Sequence, residues 1–149
     1  MNVQSMDEYL RELSTDTCLS LLRSAEVGRI GMIVDGSLVV VPVNYRAVGN
    51  SNRFSIVIRT RPGSIVDQAH EVAFELDGVD PLHATGWSVL VQGVLSHISE
   101  IDIALMGDAL DPKPWISNPA SWVVIGPTKV TGRMLQRPLG EWVIGAGYL

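Results

Sequence analysis

From Val27 onward the apolar residues arrive in strand-sized runs separated by turn residues, with none of the long crossover helices that a parallel sheet requires. Val27 to Val34 reads as a strand, Asp35-Gly36 as a two-residue hairpin turn, and Ser37 to Ala47 as the returning strand. Gly49 to Asn52 turns the chain again and Arg53 to Thr60 forms a third strand, so these three are expected to be antiparallel neighbours in a meander. Pro42 lies inside the second strand. Proline cannot donate to a ladder, so it marks a sheet edge, a bulge or a ligand-facing gap.

Glu71 to Asp77, Gly86 to Ile98 and Ser121 to Thr131 supply three further strands. In the longest of them Trp87, Val89, Val91 and Leu95 share one face, while Ser88, Leu90, Gln92, Val94 and Ser96 share the other. The expected class is mainly β: a six-stranded antiparallel barrel with short accessory helices, not a doubly wound parallel sheet.

Three helices are predicted. Cys18, Leu21, Leu22 and Ala25 form an apolar stripe at three- and four-residue steps after a capping Ser14, and Gly28 follows its end. Ser64 to His70 and Ser99 to Gly107 are shorter, each opening on a serine with an aspartate three residues on. Residues 1–13 read as a loosely held lead-in, 14–133 as the folded domain, and 134–149 as a tail rich in glycine and proline, either a partner-contacting arm or loose.

Charge and composition exclude several functions. The 149 residues carry 11 basic and 16 acidic side chains, which argues against nucleic acid or an anionic membrane as partner. No apolar run approaches the ~20 residues of a membrane helix. The polar, acidic opening lacks the pattern of a secretory signal, so a cytoplasmic location is the default expectation. Cys18 has no second cysteine to pair with and reads as a buried core thiol. His70, His83 and His97 stand too far apart for a metal site. Neither a nucleophile elbow, a dinucleotide fingerprint nor a phosphate loop with its lysine is present.

The segment most suggestive of chemistry is Ile58-Arg59-Thr60-Arg61-Pro62-Gly63-Ser64, where a strand ends in two arginines and a Gly-Ser pair starts a helix. Guanidinium groups beside a helix start form a site suited to a phosphate. The same residues are equally consistent with a turn at Gly63, a cap at Ser64 and solvated arginines.

Val41-Pro42-Val43-Asn44-Tyr45, Arg59 to Ser64, Phe74-Glu75-Leu76-Asp77, Gly86 to Val91 and Thr131-Gly132-Arg133 occur in that order. Together they resemble the actinobacterial pyridoxamine-phosphate-oxidase-like flavoproteins, the flavin or deazaflavin oxidoreductases, over about residues 14–133. The resemblance implies an FMN-binding split barrel and a homodimer whose cofactor lies in a cleft shared by both subunits. It further implies that the backbone around Val43 and Asn44 faces the isoalloxazine ring, that Arg59, Thr60 and Ser64 hold the ribityl-phosphate arm with Arg61 nearby, and that Trp87 and Ser88 approach from the partner subunit. Arg133 would lie near the dimer cleft. Simpler roles stand beside these: Trp87 filling the core, Asn44 satisfying a backbone group beside Pro42, and Arg133 pairing with a surface carboxylate.

Two positions depart from the family pattern. Ile65 stands where many relatives have a phosphate-binding lysine, and Gln92 where they often have arginine. The loss of a cation from a phosphate site weakens it by about 1–3 kcal/mol. The expected function is therefore a flavin-dependent oxidoreductase acting on a small organic substrate, with FMN as cofactor and a deazaflavin or haem as alternatives. A non-catalytic flavin or haem carrier or sensor, and a dimeric relative with a decayed phosphate site, are the rival readings. No catalytic acid or base is singled out, as expected where a cofactor supplies the chemistry.

Overall fold

Asp35 and Gly36 both adopt positive φ, 51° and 80°, in the computed structural model, and they join β2 (Val27–Val34) to β3 (Ser37–Asn44) with Val34 opposite Ser37. This is the two-residue turn whose twist matches that of the strands it connects. The structure describes residues 10–106, 110–117 and 119–136. Its remaining elements are β1 (Leu10–Glu12), α1 (Thr15–Arg23), β4 (Arg46–Asn50), β5 (Arg53–Thr60), α2 (Ile65–Gln68), β6 (Glu71–Asp80), β7 (Thr85–His97), α3 (Glu100–Met106) and β8 (Ser121–Gln136).

All strand pairs are antiparallel, in the order β3-β2-β6-β7-β8-β5-β4, with β1 added along the far end of β8. β3 ends this order on one side and β4 on the other, yet only Tyr45 separates them in the chain. The sheet therefore curls until its two ends meet through the covalent chain without pairing. That is a split barrel, not closed by a ladder.

The expected strand from Ser37 to Ala47 is thus two strands, and the expected three-strand meander is corrected: β5 pairs with β4 and β8, not with β3. The break follows from Tyr45. Its ring is buried edge-to-face against Phe74 at 4.7 Å, its hydroxyl donates to the Leu22 carbonyl, and its N–H donates to the Glu26 carbonyl at 3.0 Å. Burial raises the pKa of the phenol.

The sheet has eight strands where six were expected, because β4 separates from β3 and residues 10–12 form β1 instead of a loose lead-in. β6 and β8 also run further than expected, to Asp80 and Gln136, so the loop expected over 78–85 contracts to a turn at 81–84. Beyond Gln136 the expected tail lies outside the described residues.

The core lies inside the curl. Ile30, Phe74, Val89, Val91, Val123, Ile125, Ile56 and Ile58 alternate inward from five strands, and each is fully buried. Each contributes about 1.5–3 kcal/mol relative to exposure. α1 closes one end with Leu19, Leu22 and Cys18. Ser14 caps it as predicted, its Oγ accepting from the Thr17 N–H at 3.2 Å. Cys18 is the buried thiol expected, and burial raises its pKa. Among the described residues no helix is long and apolar enough to cross a membrane, and no cluster of His, Cys, Asp and Glu could hold a metal.

Candidate functional site

A cleft opens between the free edge of β3 and the end of β5 that runs beyond its pairing with β4. Val41 to Asn44 form one wall, Arg59 to Ser64 with Val66 form the other, and Pro114 and Ile116 of the 110–117 segment close it over. Its volume of about 440 Å³ lies within the range of small-molecule sites. Thus the sequence-predicted residues Val43, Asn44, Arg59, Thr60, Arg61 and Ser64 come together in one cavity from two distant segments.

The wall from β3 is a free sheet edge. Val34 opposite Ser37 sets the hydrogen-bonding series, and the Tyr45 N–H to the Glu26 carbonyl continues it, so odd-numbered residues of β3 bond to β2. Even-numbered residues turn their backbone to the open edge. Pro42 therefore sits where its missing N–H breaks no ladder, which joins two of the roles its sequence suggested, edge and gap. Asn44 presents its backbone to the cleft. The Val43 amide turns toward Gly28 of β2, so at this point of the lining the open backbone is that of Asn44. The Asn44 side chain accepts the Trp115 N–H at 3.2 Å, tying down the 110–117 segment instead of satisfying a group beside Pro42.

The opposite wall starts from a turn. Ser64 N–H donates to the Arg61 carbonyl at 3.1 Å, with Pro62 and Gly63 between them. Gly63 holds φ +75°, with open space around any added Cβ, so glycine is required there by conformation and not by crowding. Thr60, which is buried, has its hydroxyl 2.7 Å from that of Ser64.

Charge is where this wall departs from expectation. Arg59 Nη1 donates to Asp111 at 2.7 Å, its Nε donates to the Pro119 carbonyl at 3.2 Å, and its guanidinium stacks 4.7 Å over Trp122. Of the five N–H hydrogens of a guanidinium, the other three have no partner among the described residues. The helix start is not a free anion site. α2 is only four residues long, and the Asp67 carboxylate already accepts the Gly63 N–H at 2.7 Å. Asp67 also accepts from the Ser121 hydroxyl and lies 2.8 Å from His97 Nε2.

The Ser121 bond does most to hold Asp67 below the ordinary carboxylate pKa; burial opposes it, and bonds from Gly63 and His97 add to it. For Asp111 burial pushes upward, but bonds from Arg59 and the Lys113 amide prevail and leave it lowered. Arg59 is thus paired with Asp111 and Asp67 with His97, while Arg61, which is exposed, has no ion pair among the described residues.

Neither carboxylate was picked out from the sequence as part of the site. Asp67 was read only as an acidic residue early in a short helix, and Asp111 carried no signal. Ile65, at 43% exposure, projects from the helix outside the cleft lining, while Val66 takes the buried position.

Trp87, Ser88 and Arg133 lie elsewhere in the same chain. Ser88 pairs with Arg133, whereas the cleft strand Arg59–Thr60 pairs with Trp122 and Ser121 at the other end of β8. On its other side Ser88 pairs with Asp77, which places it three strands, about 14 Å, from Asn44 of β3, and none of the three residues lines the cleft. Trp87 packs its indole across Gly78, where an added Cβ would lie 2.6 Å from the ring. Arg133 is exposed opposite Ser88 and Glu12, without an ion pair among the described residues. Gln92 is exposed at a register shift in the β7–β8 pair.

A smaller concavity of about 260 Å³ lies over β2, β3 and β6. Its Arg29 is held by Glu75 and Asp77 at 2.9 and 2.6 Å, so its cation is already matched.

Residues 14–134 match the family model described as pyridoxamine 5'-phosphate oxidase. The chain is 32% identical over 127 residues to the uncharacterized protein Rv0080 of Mycobacterium tuberculosis, covering 81% of this chain and 82% of that one. Among solved structures it is similar to an FAD binding protein of Mycobacterium smegmatis, with 33% identity, coverage of 85% and 98%, and a TM-score of 0.68. It is also similar to a conserved protein of unknown function from Corynebacterium diphtheriae, with 28% identity, coverage of 85% and 98%, and a TM-score of 0.70.

Proposed function

The chain belongs to the pyridoxamine 5'-phosphate oxidase family, and on that premise we propose that it binds a flavin in the β3–β5 cleft and uses it in redox chemistry on a small organic substrate. One observation carries the reading: the free edge of β3 and the arginine-bearing end of β5 face each other across a cavity of about 440 Å³. The FAD-binding Mycobacterium smegmatis protein, similar over nearly its whole length, supports a flavin as the ligand.

In this reading the open backbone of Asn44 and the apolar Val41 and Val43 side chains hold the ring, and the cofactor's phosphate arm runs toward Arg59, Arg61 and the Thr60 and Ser64 hydroxyls. The flavin, when bound, supplies hydride or electron transfer. The chain's residues orient it, exclude water with Pro114 and Ile116, and counter its phosphate charge. The lining includes no histidine, cysteine or methionine among the described residues, so it offers haem no axial ligand.

The functional unit we propose is a homodimer. Ile33, Leu38 and Val40 stand exposed on the outer face of β2 and β3, and a second copy would cover them. Trp87, Ser88 and Arg133 line no part of their own cleft and, as in the resemblance, would approach the cleft of the partner.

The test is titration of the purified protein with FMN, FAD and a deazaflavin, followed by anaerobic reduction of the bound cofactor with a nicotinamide donor. Saturable flavin binding that Arg61→Ala weakens is expected. Absence of binding to any of the three would overturn the reading, and binding without reduction or turnover would make the protein a flavin carrier.

A further inference from the structure

The Asp111–Arg59 pair is unusual for a phosphate site, because a carboxylate of the chain already neutralises the cation a phosphate would seek. The pair is well held. Arg59 and Asp111 side chains are only 22% and 20% exposed, and the second oxygen of Asp111 accepts the Lys113 N–H at 2.8 Å. Arg46 Nε donates to the Asp111 carbonyl at 3.3 Å, fixing the backbone as well. With the Arg59 charge met by Asp111, the Gly63 amide taken by Asp67 and Ile65 after Ser64, Arg61 is the one guanidinium of the cleft lining without an ion pair among the described residues.

A terminal phosphate monoester carries about −1.5 to −2 charges on one phosphorus at pH 7. A diphosphate diester carries one negative charge on each of two phosphorus atoms and spreads them along the chain. A lining whose Arg59 is already matched by Asp111, leaving Arg61 as its unpaired guanidinium, favours the second over the first.

We propose that Asp111 is a specificity-determining residue, which makes the cleft select a dinucleotide flavin of the FAD type over a flavin mononucleotide. This rests on the flavin reading above. Asp111 acts by reducing the charge that Arg59 offers, while three guanidinium N–H hydrogens remain to bind oxygen.

Equilibrium titrations followed by flavin fluorescence, with riboflavin, FMN and FAD as probes, test it on wild type and Asp111→Asn. The amide keeps the shape and an acceptor for the Lys113 N–H. Wild type should bind FAD more tightly than FMN. The substitution should tighten FMN about ten-fold, the size of one partly screened charge, and FAD less than about three-fold, with riboflavin unchanged. The FMN gain should shrink at high salt.

Arg59→Gln provides an independent arm should Asp111→Asn melt early: it leaves the carboxylate without its cation, and FMN affinity should fall further than FAD affinity. An FMN-to-FAD ratio unchanged in both variants would overturn the role of Asp111 while leaving flavin binding intact. No binding of any of the three probes by any variant would instead overturn the flavin reading itself.

Discussion

Replacing Asp67 with alanine should destabilise the protein by about 3 kcal/mol, because this one carboxylate ties three separate segments together. It takes the Gly63 N–H of the turn, the Ser121 hydroxyl at the start of β8, and His97 at the end of β7. The Ser121 bond is partly buried and charge-assisted, so it contributes about 2 kcal/mol; Gly63 and His97 regain water when the carboxylate is gone, and each contributes about 0.5 kcal/mol. For a domain of this length the sum lowers Tm by about 10 °C. The effect must also depend on pH in a defined direction. The Asp67 pKa is lowered in the folded state, so its stabilisation is fully present above the unfolded value of about 4 and is lost as pH falls through the folded value. Melting curves of both proteins by circular dichroism, at neutral pH and across pH 5 to 2, check this. The gap should be widest at neutral pH and close below about pH 4. Equal melting temperatures at neutral pH, or a gap that persists unchanged in acid, would refute the assignment of Asp67 as the tie.

Ile65→Lys should change the melting temperature little, since Ile65 is 43% exposed and Val66 takes the buried position, and should tighten FMN several-fold at low salt; a calorimetric titration showing equal or weaker affinity would place the phosphate away from α2. Gly78→Ala should cost about 1–3 kcal/mol, because the new methyl would meet the Trp87 indole at 2.6 Å, and chemical denaturation reads that loss directly. Light scattering at micromolar concentration should return twice the chain mass, and Leu38→Asp should return it to one, since Leu38 lies exposed on the outer face of β3.

Much of the fold was legible because its signals are local. Val89, Val91 and Leu95 are buried and Leu90, Gln92 and Val94 exposed, as the period of two along that strand required. Asp35-Gly36 and the Ser14 cap needed only their immediate neighbours. The break at Tyr45 was not legible, because nothing in Val41 to Ala47 itself interrupts a strand. The cause is Phe74 and the Leu22 carbonyl, both remote in sequence, which draw the tyrosine inward and send the chain from one end of the sheet to the other. β1 was missed for a similar reason: its three exposed residues have no apolar alternation, and only the length of β8 gives them a ladder to join.

The site shows the same division between what is local and what is not. Its cations stand together in Arg59-Thr60-Arg61, beside the Gly63-Ser64 turn, and so they could be found. The anions that qualify them could not. Asp111 reaches Arg59 across 52 positions of sequence, and Asp67 is fixed by Ser121 and His97, 54 and 30 positions away. A run of arginines therefore reads as a phosphate site whether or not the fold returns carboxylates to it. Here the fold returns two. What such a wall can attract is set by the difference between its charges and not by the arginines alone. A chain with Asp111 neutralised and one with a lysine at position 65 should converge on the same FMN preference, because both leave one more positive charge unmatched at the same end of the cleft.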